Sequence, residues 1–277
     1  MTEASASHVS VLSTTPVKGL GLEHPEQVEL ISTGAVGDRD FFFVDERGSL
    51  ASVTKIGALV ALRAEYDRDR GRLAIVSDNG GRWEEEVRLG DRLDVDFFGH
   101  HRVATRRVAG PWDAVASERA GRTLMLVKAD EPGAGSDYHP VTILGDASVA
   151  ELARASGLLR IDRRRFRMLI GLDTSIPHIE DTWTGATVEV GEAMLRVCGP
   201  VPRCAATTRG PDSGERDLPV VKMIRDHRGI QPTDYGPGAN FGVYADVLRH
   251  GTVRVGDSFR IVANEPARNS PTMAPAP

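Results

Sequence analysis

Short apolar runs interrupted by glycine, aspartate and asparagine restrict the possible fold of this sequence more than any other feature. In the first half of the chain these runs are Val9–Leu12, Val28–Ile31, Phe41–Val44, Ala58–Leu62, Leu73–Val76 and Val87–Phe98. Runs of this length between turn-forming residues are typical of β-strands, because a helix needs a longer periodic pattern. The first half is therefore predicted to be rich in β-structure.

Two segments carry a helical pattern instead. Apolar residues recur at helical spacing within Trp112–Ala120. A second helix is predicted after Gly145, with Asp146 as its cap and with Val149 and Leu152 on its buried face. The sequence thus predicts a mixed α+β protein that is mainly β and has few helices.

Strands are predicted again in the last third of the chain. Thr187–Val190 and Met194–Val197 flank a turn at Gly191-Glu192, and Val253–Val255 and Phe259–Val262 flank a turn at Gly256-Asp257. The turn-rich segment Glu131–Ser136 predicts a linker. We therefore predict a β-rich domain at 8–125, a linker at 126–139, a second β domain at 140–262 and a disordered tail at 263–277, which lacks apolar periodicity.

Composition excludes several classes of protein. The 277 residues are 40% hydrophobic and 26% charged with a mean hydropathy of -0.24, as in ordinary globular proteins. No apolar stretch is long enough to span a membrane, the polar amino terminus does not resemble a signal peptide, and a net charge of -5 gives no general attraction for nucleic acid. Membrane and nucleic-acid partners are therefore not expected.

The cysteine count and the absence of nucleotide-binding motifs narrow the function further. Two cysteines favour a reducing cytoplasm and cannot hold a four-cysteine iron–sulfur cluster. The sequence contains neither a Walker A loop nor a GxGxxG motif, so neither common route to nucleotide binding is expected. A redox function would consequently need electrons from another protein.

The segment Val197–Thr208 carries the most informative chemistry. Two prolines and a glycine interrupt the strand before Arg203-Cys204, which favours a constrained loop for Cys204. A neighbouring guanidinium favours the thiolate that binds soft metals, although a structural role for Cys204 is equally compatible with these residues alone. Cys198 ends an apolar run and is interpreted as a small core residue.

Seven motifs in a fixed order extend over nearly the whole chain. They are Pro16-Val-Lys18, Gly37-Asp-Arg39, Arg165-Phe-Arg167, Glu180-Asp-Thr-Trp183, Arg203-Cys204 with Pro211-Asp-Ser-Gly214, Phe241-Gly-Val-Tyr244 and Val255-Gly-Asp257. With them the sequence resembles the MOSC superfamily, in the branch that has an N-terminal MOSC β-barrel domain and includes the mitochondrial amidoxime-reducing components. The resemblance implies a MOSC-type β-barrel for 140–262 and an N-terminal MOSC-type β-barrel for 8–125.

The resemblance also implies a cofactor and its ligands. In the family a cysteine of the Arg-Cys motif ligates the molybdenum of a pyranopterin cofactor, and the matching residue here is Cys204. Thiolate ligation suits this metal, which already binds the two cofactor sulfurs. By motif position the candidates for binding the cofactor's phosphate and pterin are Lys18, Arg167, Arg203 and Tyr244.

Two departures from the family pattern affect this assignment. Thr54 replaces a family arginine, with Lys55 beside it as a candidate replacement cation, and Met168-Leu169 replaces a Pro-Asn pair. His139 lies where the family contributes small hydroxyl residues. It is a candidate for a catalytic proton donor near neutral pH, or alternatively for a residue that caps a turn.

The function implied by the resemblance is reduction of an N-hydroxylated or N-oxide small molecule at molybdenum. Electrons would come from a ferredoxin-like protein or a flavoprotein, since no intrinsic iron–sulfur cluster or flavin is expected. Two alternatives stay open. One is a non-redox carrier of the molybdenum cofactor or of a persulfide, and the other is a protein that binds a different small ligand in the same crevice.

Overall fold

The computed structural model describes residues 7–97, 101–234 and 236–264, and within them the protein is mainly β with three α-helices. The helices are α1 (Trp112–Ala120), α2 (Asp146–Ala155) and α3 (Val220–Arg228). The strands of the first half are β1 (Ser7–Leu12), β2 (Val17–Lys18), β3 (Gln27–Ile31), β4 (Gly34–Ala35), β5 (Phe41–Val44), β6 (Leu62–Asp67), β7 (Arg72–Ser77), β8 (Arg82–Glu86), β9 (Arg88–Phe97), β10 (His101–Ala109) and β11 (Met125–Ala129). Those of the second half are β12 (Val141–Gly145), β13 (Ile170–Leu172), β14 (Ala186–Val190), β15 (Ala193–Pro202), β16 (Asn240–Arg249), β17 (Gly251–Arg254) and β18 (Ser258–Asn264).

Seven strands close into a barrel in the order β1, β13, β12, β16, β15, β14 and β18. Only the β12–β13 pair of this barrel is parallel. Strand β14 shows why the barrel has an apolar interior: Ala186, Val188 and Val190 are buried, whereas Thr187 and Glu189 between them are partly exposed. Successive side chains on a strand point to opposite faces, so this alternation buries one face of the sheet.

A five-stranded sheet in the order β2, β5, β11, β10 and β9 forms the centre of the other part of the molecule. Its strand β5 is buried on both faces. Phe41 and Phe43 pack in one apolar cluster with Leu126, and Phe42 packs in a second cluster with Val127. This arrangement explains why β5 reads as an uninterrupted apolar run rather than an alternating one.

The predicted fold class is confirmed, with differences in detail. The predicted strand Ala58–Leu62 is wrong for most of its length, because Gly57–Ala61 forms a 3-10 helix before β6 begins. The helix after Gly145 is observed, but Gly145 itself is the cap. Asp146 is the first helical residue and pairs with Arg163 at 2.7 Å instead.

Strand pairing joins the two predicted domains. Strand β1 completes the barrel of the second half between β13 and β18. Strand β17 of the second half pairs with β3 of the first half, so each predicted domain includes a strand from the other. Residues 126–129 of β11 fall in the predicted linker at 126–139, and this strand pairs with β5 and β10. The division of the chain at this linker remains a prediction. Of the predicted tail, Ala263 and Asn264 belong to β18 and residues 265–277 lie outside the described part of the chain.

None of the helices in the described residues is both long and apolar enough to span a lipid bilayer.

Candidate functional site: a cationic cleft beside Cys204

The end of β15 presents Cys204 at the surface. Pro200 and Pro202 lie opposite Val243 and Asn240 of β16 with a register shift between them, and the backbone N–H of Arg203 then donates to the carbonyl of Ala239 at 2.9 Å. Cys204 has an extended backbone and starts a 3-10 turn, in which the Thr207 hydroxyl donates to the Cys204 carbonyl at 3.0 Å. The thiol is exposed. The predicted constrained loop is therefore observed.

A cleft of about 960 Å³, counting the space at its mouth, lies beside this thiol. Its walls come from both halves of the chain. The first half contributes Lys18, Gly19, Arg39, Ser52, Val53 and Thr54. The second half contributes Ser136, Asp137, His139, Pro140, Thr142, Arg165, Phe166, Arg167, Met168, Val201, Pro202, Arg203, Cys204, Ala206, Thr207 and Tyr244.

Lys18 is held by two contacts in the cleft wall. Its Nζ donates to the carbonyl of Gly135 and to Oδ1 of Asp137, each at 2.7 Å. Burial lowers the pKa of Lys18, and the Asp137 carboxylate partly opposes that change. Partial burial tends to raise the pKa of Asp137, but Lys18 outweighs it and the pKa is lowered. Lys18 and Asp137 thus form an ion pair in the cleft wall, with Nζ and Oδ1 2.7 Å apart.

Two arginines with left-handed backbone conformations lie side by side in the cleft. Arg39 has a φ of 56° and Arg167 a φ of 52°. The Arg39 guanidinium donates to Asp38 and, at 3.1 Å, to the carbonyl of Arg167. The Arg167 guanidinium donates to the carbonyl of Leu20 at 2.7 Å, and burial together with the Arg39 charge lowers its pKa to about 10. The two guanidiniums repel each other, which favours an anion between or beside them.

Arg203 is a third guanidinium that lines the cleft. It donates to the carbonyl of Phe166 and, at 3.1 Å, to the sulfur of Met168, and its charge lies 5.6 Å from the centre of the Phe166 ring. Burial lowers its pKa, while the neighbouring Cys204 and Tyr244 oppose the change. Within the described residues its Nε is buried and has no hydrogen-bond partner. This buried donor is therefore unsatisfied within the described part of the protein.

Two further arginines hold the loops around Cys204 together. The Arg165 guanidinium makes a two-pronged contact with Asp217 at 2.7 and 2.6 Å. Arg209 donates to the carbonyls of Thr54 at 3.0 Å and Gly214 at 2.9 Å. The Thr54 hydroxyl in turn lies 3.5 Å from the Cys204 sulfur. Arg209 therefore fastens the Thr54 loop of the first half to the Cys204 loop of the second.

His139 and Tyr244 form the opposite wall. Their rings lie 5.1 Å apart between centroids. His139 Nδ1 lies 2.7 Å from Oδ1 of Asp246, and this contact orients the imidazole. Tyr244 is buried on β16, which pairs with β12. The wall thus combines an imidazole held by a carboxylate with an aromatic surface.

The structure brings six of the seven predicted site residues to one cleft. Cys204, His139, Lys18, Arg167, Arg203 and Tyr244 all line it. Lys55 does not, because its side chain is exposed outside the cleft while the neighbouring Thr54 faces inward. The expectation that Lys55 replaces the missing arginine of the family stays a prediction, and its place outside the cleft lining gives it no support.

Sequence reasoning missed three charged residues of the site. Arg39 lies in the quoted Gly37-Asp-Arg39 motif, so a signal for it was present. Asp137 lies only two positions before the predicted site residue His139, so its place in the sequence was a second signal. Arg209 has no motif that marks it, and its role depends on carbonyls that come from Thr54 and Gly214.

The arrangement of barrel, second sheet and cysteine-bearing cleft defines a MOSC-type protein. Residues 6–106 match the MOSC N-terminal beta barrel domain, and residues 130–260 match the MOSC domain. The chain belongs to the MOSC superfamily.

Its relatives include two kinds of protein. The chain is 25% identical over 243 residues to the molybdenum cofactor sulfurase of Caenorhabditis elegans, covering 84% of this chain and 33% of that protein. It is 31% identical over 134 residues to the human mitochondrial amidoxime reducing component 2, covering 46% of this chain and 38% of that protein. The chain thus spans well under half the length of these curated relatives. Among solved structures, the YUAD protein from Bacillus subtilis has a TM-score of 0.48 and 12% identity, covering 92% of this chain and 94% of that one.

Proposed function

We propose that the protein is a cytoplasmic, molybdenum-cofactor-dependent oxidoreductase that reduces N-hydroxylated or N-oxide compounds with electrons from a partner protein. The observation that carries this proposal is the exposed thiol of Cys204 at a cleft lined by five cationic side chains. They are Lys18, Arg39, Arg165, Arg167 and Arg203. The kinship with amidoxime-reducing components and with a cofactor sulfurase supports the same cofactor.

The residues of the cleft fit an anionic cofactor. Lys18 and Arg39 each contact a carboxylate, whereas Arg167 and Arg203 donate to carbonyl oxygens and, for Arg203, to a sulfur. Neither Arg167 nor Arg203 forms a direct ion pair with any residue the structure describes, although the Asp137 carboxylate lies close enough to act on the charges of both. Guanidinium groups bind phosphate with two parallel hydrogen bonds, which makes a phosphate the natural complement here.

The remaining donors suit the other parts of the cofactor. The buried Nε of Arg203 has no acceptor in the described part of the protein and would serve the polar pterin. The thiolate of Cys204 is the soft ligand that molybdenum needs beside the cofactor sulfurs. When bound, the cofactor supplies two-electron transfer at an oxygen-accepting metal.

The protein's own groups would orient the substrate and supply protons. Reduction of a hydroxylamine consumes two electrons and two protons and yields the amine and water, so a proton source at the cleft is required. His139 lines the cleft, and its contact with Asp246 orients the imidazole, so it is the candidate proton donor. A ferredoxin-like protein or a flavoprotein would supply the two electrons.

The test starts from protein produced in a host that makes the molybdenum cofactor. Metal analysis should find molybdenum in the wild type and in the control variant Cys198→Ala, but much less in Cys204→Ser. Arg167→Met should also lower the molybdenum content, because it removes a cation that has no direct ion pair. The loaded protein, reduced with an artificial donor, should be reoxidised by hydroxylamines, amidoximes or N-oxides. Equal molybdenum content in the wild type and in Cys204→Ser would refute the assignment of the ligand.

A second candidate is a carrier of the cofactor or of a persulfide on Cys204. The exposure of this thiol favours it, because a carrier must reach an acceptor protein. A carrier would transfer its cofactor or sulfur to an apo-acceptor and would show no substrate-dependent reoxidation. A protein without molybdenum that binds another ligand in the cleft would fail both assays.

A further inference from the structure

A second group of metal-binding side chains lies beside the cleft and is independent of Cys204. One ligand atom each from His139, Cys198 and Asp246 lies within 4.8 Å of the others. His139 precedes β12, Cys198 belongs to β15 and Asp246 belongs to β16, and these three strands are neighbours in the barrel. The fold therefore gathers an imidazole, a thiol and a carboxylate from positions far apart in sequence.

A β-bulge places Cys198 in this group. Val197 pairs with Ala245 and Gly199 pairs with Tyr244, so Cys198 is an extra residue that has no partner in the ladder. An extra residue of this kind bends the strand and redirects its side chain. The sulfur contacts the carbonyl of Arg196 at 3.4 Å, and the residue is only partly buried. Cys198 is thus not the simple core residue that the sequence predicted.

The three side chains already interact with one another. His139 Nδ1 contacts Asp246 Oδ1 at 2.7 Å, and this contact lowers the pKa of Asp246. Burial and, less strongly, the Asp246 carboxylate raise the pKa of Cys198 to about 12, so the thiol is protonated at neutral pH. The side chains of His139 and Asp246 are 20% and 50% exposed, which leaves a path for an ion from solvent.

We propose that His139, Cys198 and Asp246 form a binding site for a divalent zinc ion. One thiolate, one imidazole and one carboxylate are ligands that zinc accepts, and three protein ligands leave a fourth position for water. Binding replaces the thiol proton by the metal: the S–H bond breaks, a sulfur–zinc bond forms and the proton goes to solvent. No electron transfer is involved.

The required movement is small. Zinc bonds of about 2.0–2.3 Å in a tetrahedral arrangement put neighbouring ligand atoms about 3.6 Å apart. The His139–Asp246 contact at 2.7 Å must therefore open by about 1 Å, and atoms up to 4.8 Å apart must close by a similar amount. Rotation of side chains that are partly exposed provides such a shift without a change in the barrel.

The proposal is tested with zinc alone on the full-length protein free of molybdenum cofactor. Calorimetric titration should show one zinc bound by the wild type. Removing an outer-shell partner of a zinc ligand already costs about 10–100-fold in affinity. Loss of a ligand in Cys198→Ser or Asp246→Asn should therefore weaken binding by more than about 100-fold. Zinc should also raise the unfolding temperature of the wild type but of neither variant.

Two matched controls distinguish this site from other zinc-binding groups. His227→Gln removes one ring of the exposed His178–His227 pair, whose Nε2 atoms lie 3.4 Å apart, and Cys204→Ser removes the exposed thiol. Both should bind zinc as the wild type does. Cobalt provides a second readout, because a thiolate–cobalt absorption band should appear in the wild type and in Cys204→Ser but not in Cys198→Ser.

Three results would overturn the proposal. They are a wild type that binds zinc no more tightly than Cys198→Ser, a loss of binding confined to Cys204→Ser, and a cobalt spectrum without a thiolate band. If Cys198→Ser does not fold, as judged by circular dichroism, Asp246→Asn and the cobalt spectrum of the wild type decide. Because no molybdenum is present, the outcome is separate from that of the proposed reductase function.

Discussion

Replacing Lys18 by methionine tests how much the two contacts of its ammonium group contribute to the stability of the folded protein. In the protein without cofactor, Lys18 Nζ contacts the Gly135 carbonyl and Asp137 Oδ1, each at 2.7 Å. The bond to Gly135 is partly buried and should contribute about 1.5–3 kcal/mol, as hydrogen bonds of charged groups do. The side chain of Asp137 is 51% exposed, so its ion pair should contribute only about 0–1 kcal/mol.

The net effect on folding follows from these two contributions. Methionine recovers about 1 kcal/mol because it leaves no charge to be desolvated and can pack against the Phe97 ring, which lies 5.5 Å from Lys18 Nζ. We therefore expect Lys18→Met to lower the free energy of unfolding by about 0.5–3 kcal/mol. This loss of folding stability exists before any cofactor is bound. A lower cofactor occupancy of Lys18→Met would therefore have to be distinguished from a smaller folded fraction of the protein.

Urea unfolding of the cofactor-free protein measures the effect, and Lys55→Met is the matched control. Lys55 is exposed, so its replacement should change the free energy of unfolding by no more than about 0.5 kcal/mol. A double-mutant cycle with Asp137→Asn should give a coupling energy of at least about 0.5 kcal/mol between Lys18 and Asp137. Equal unfolding curves for Lys18→Met and Lys55→Met would refute the reasoning.

Two further predictions concern the scaffold of the site. A Cβ added in Gly57→Ala would overlap the carbonyl oxygen of Gly214, so we expect urea unfolding to show a free energy of unfolding lower by about 1–3 kcal/mol. Gly199→Ala is the control and should change it little, because the space around Gly199 is open. Glu180 accepts a hydrogen bond from the Ser148 hydroxyl at 2.9 Å, and burial raises the pKa of its carboxyl group. The folded protein therefore holds this proton more tightly than the unfolded chain does. The resulting stabilisation is fully present below the ordinary pKa of 4.5 and is lost as pH rises through the raised value. Glu180→Gln should therefore gain stability relative to the wild type as pH increases above 4.5 in parallel unfolding series, and a pH-independent difference would contradict this reasoning.

Local patterns in the sequence were sufficient for most of the secondary structure. The alternation in β14, the apolar run of β5 and the helical spacing of Trp112–Ala120 each report how one segment is buried. Side-chain direction repeats every 2 residues in a strand and about every 3.6 in a helix, so such patterns need no knowledge of distant residues. The constrained loop at Cys204 followed in the same way from its prolines and glycine.

The motif resemblance located most of the site, but not the side chains that complete it. The sequence places Thr54 and Lys55 next to each other and does not show which of them faces the cleft. The structure turns Thr54 toward Cys204 because Arg209 holds the Thr54 carbonyl. That contact joins residues 155 positions apart, a separation at which no local pattern carries information.

The sequence by itself determined the mainly β fold and most of the strands and helices, and it singled out Cys204 as the candidate ligand of the site. Only the tertiary structure decided how charges are paired and which strands are neighbours. Lys18 meets Asp137 across 119 positions, β1 closes a barrel with β18, and a bulge turns Cys198 toward His139 and Asp246. These contacts depend on the register between distant strands, which is set by the packing of the whole core rather than by the residues of any one segment.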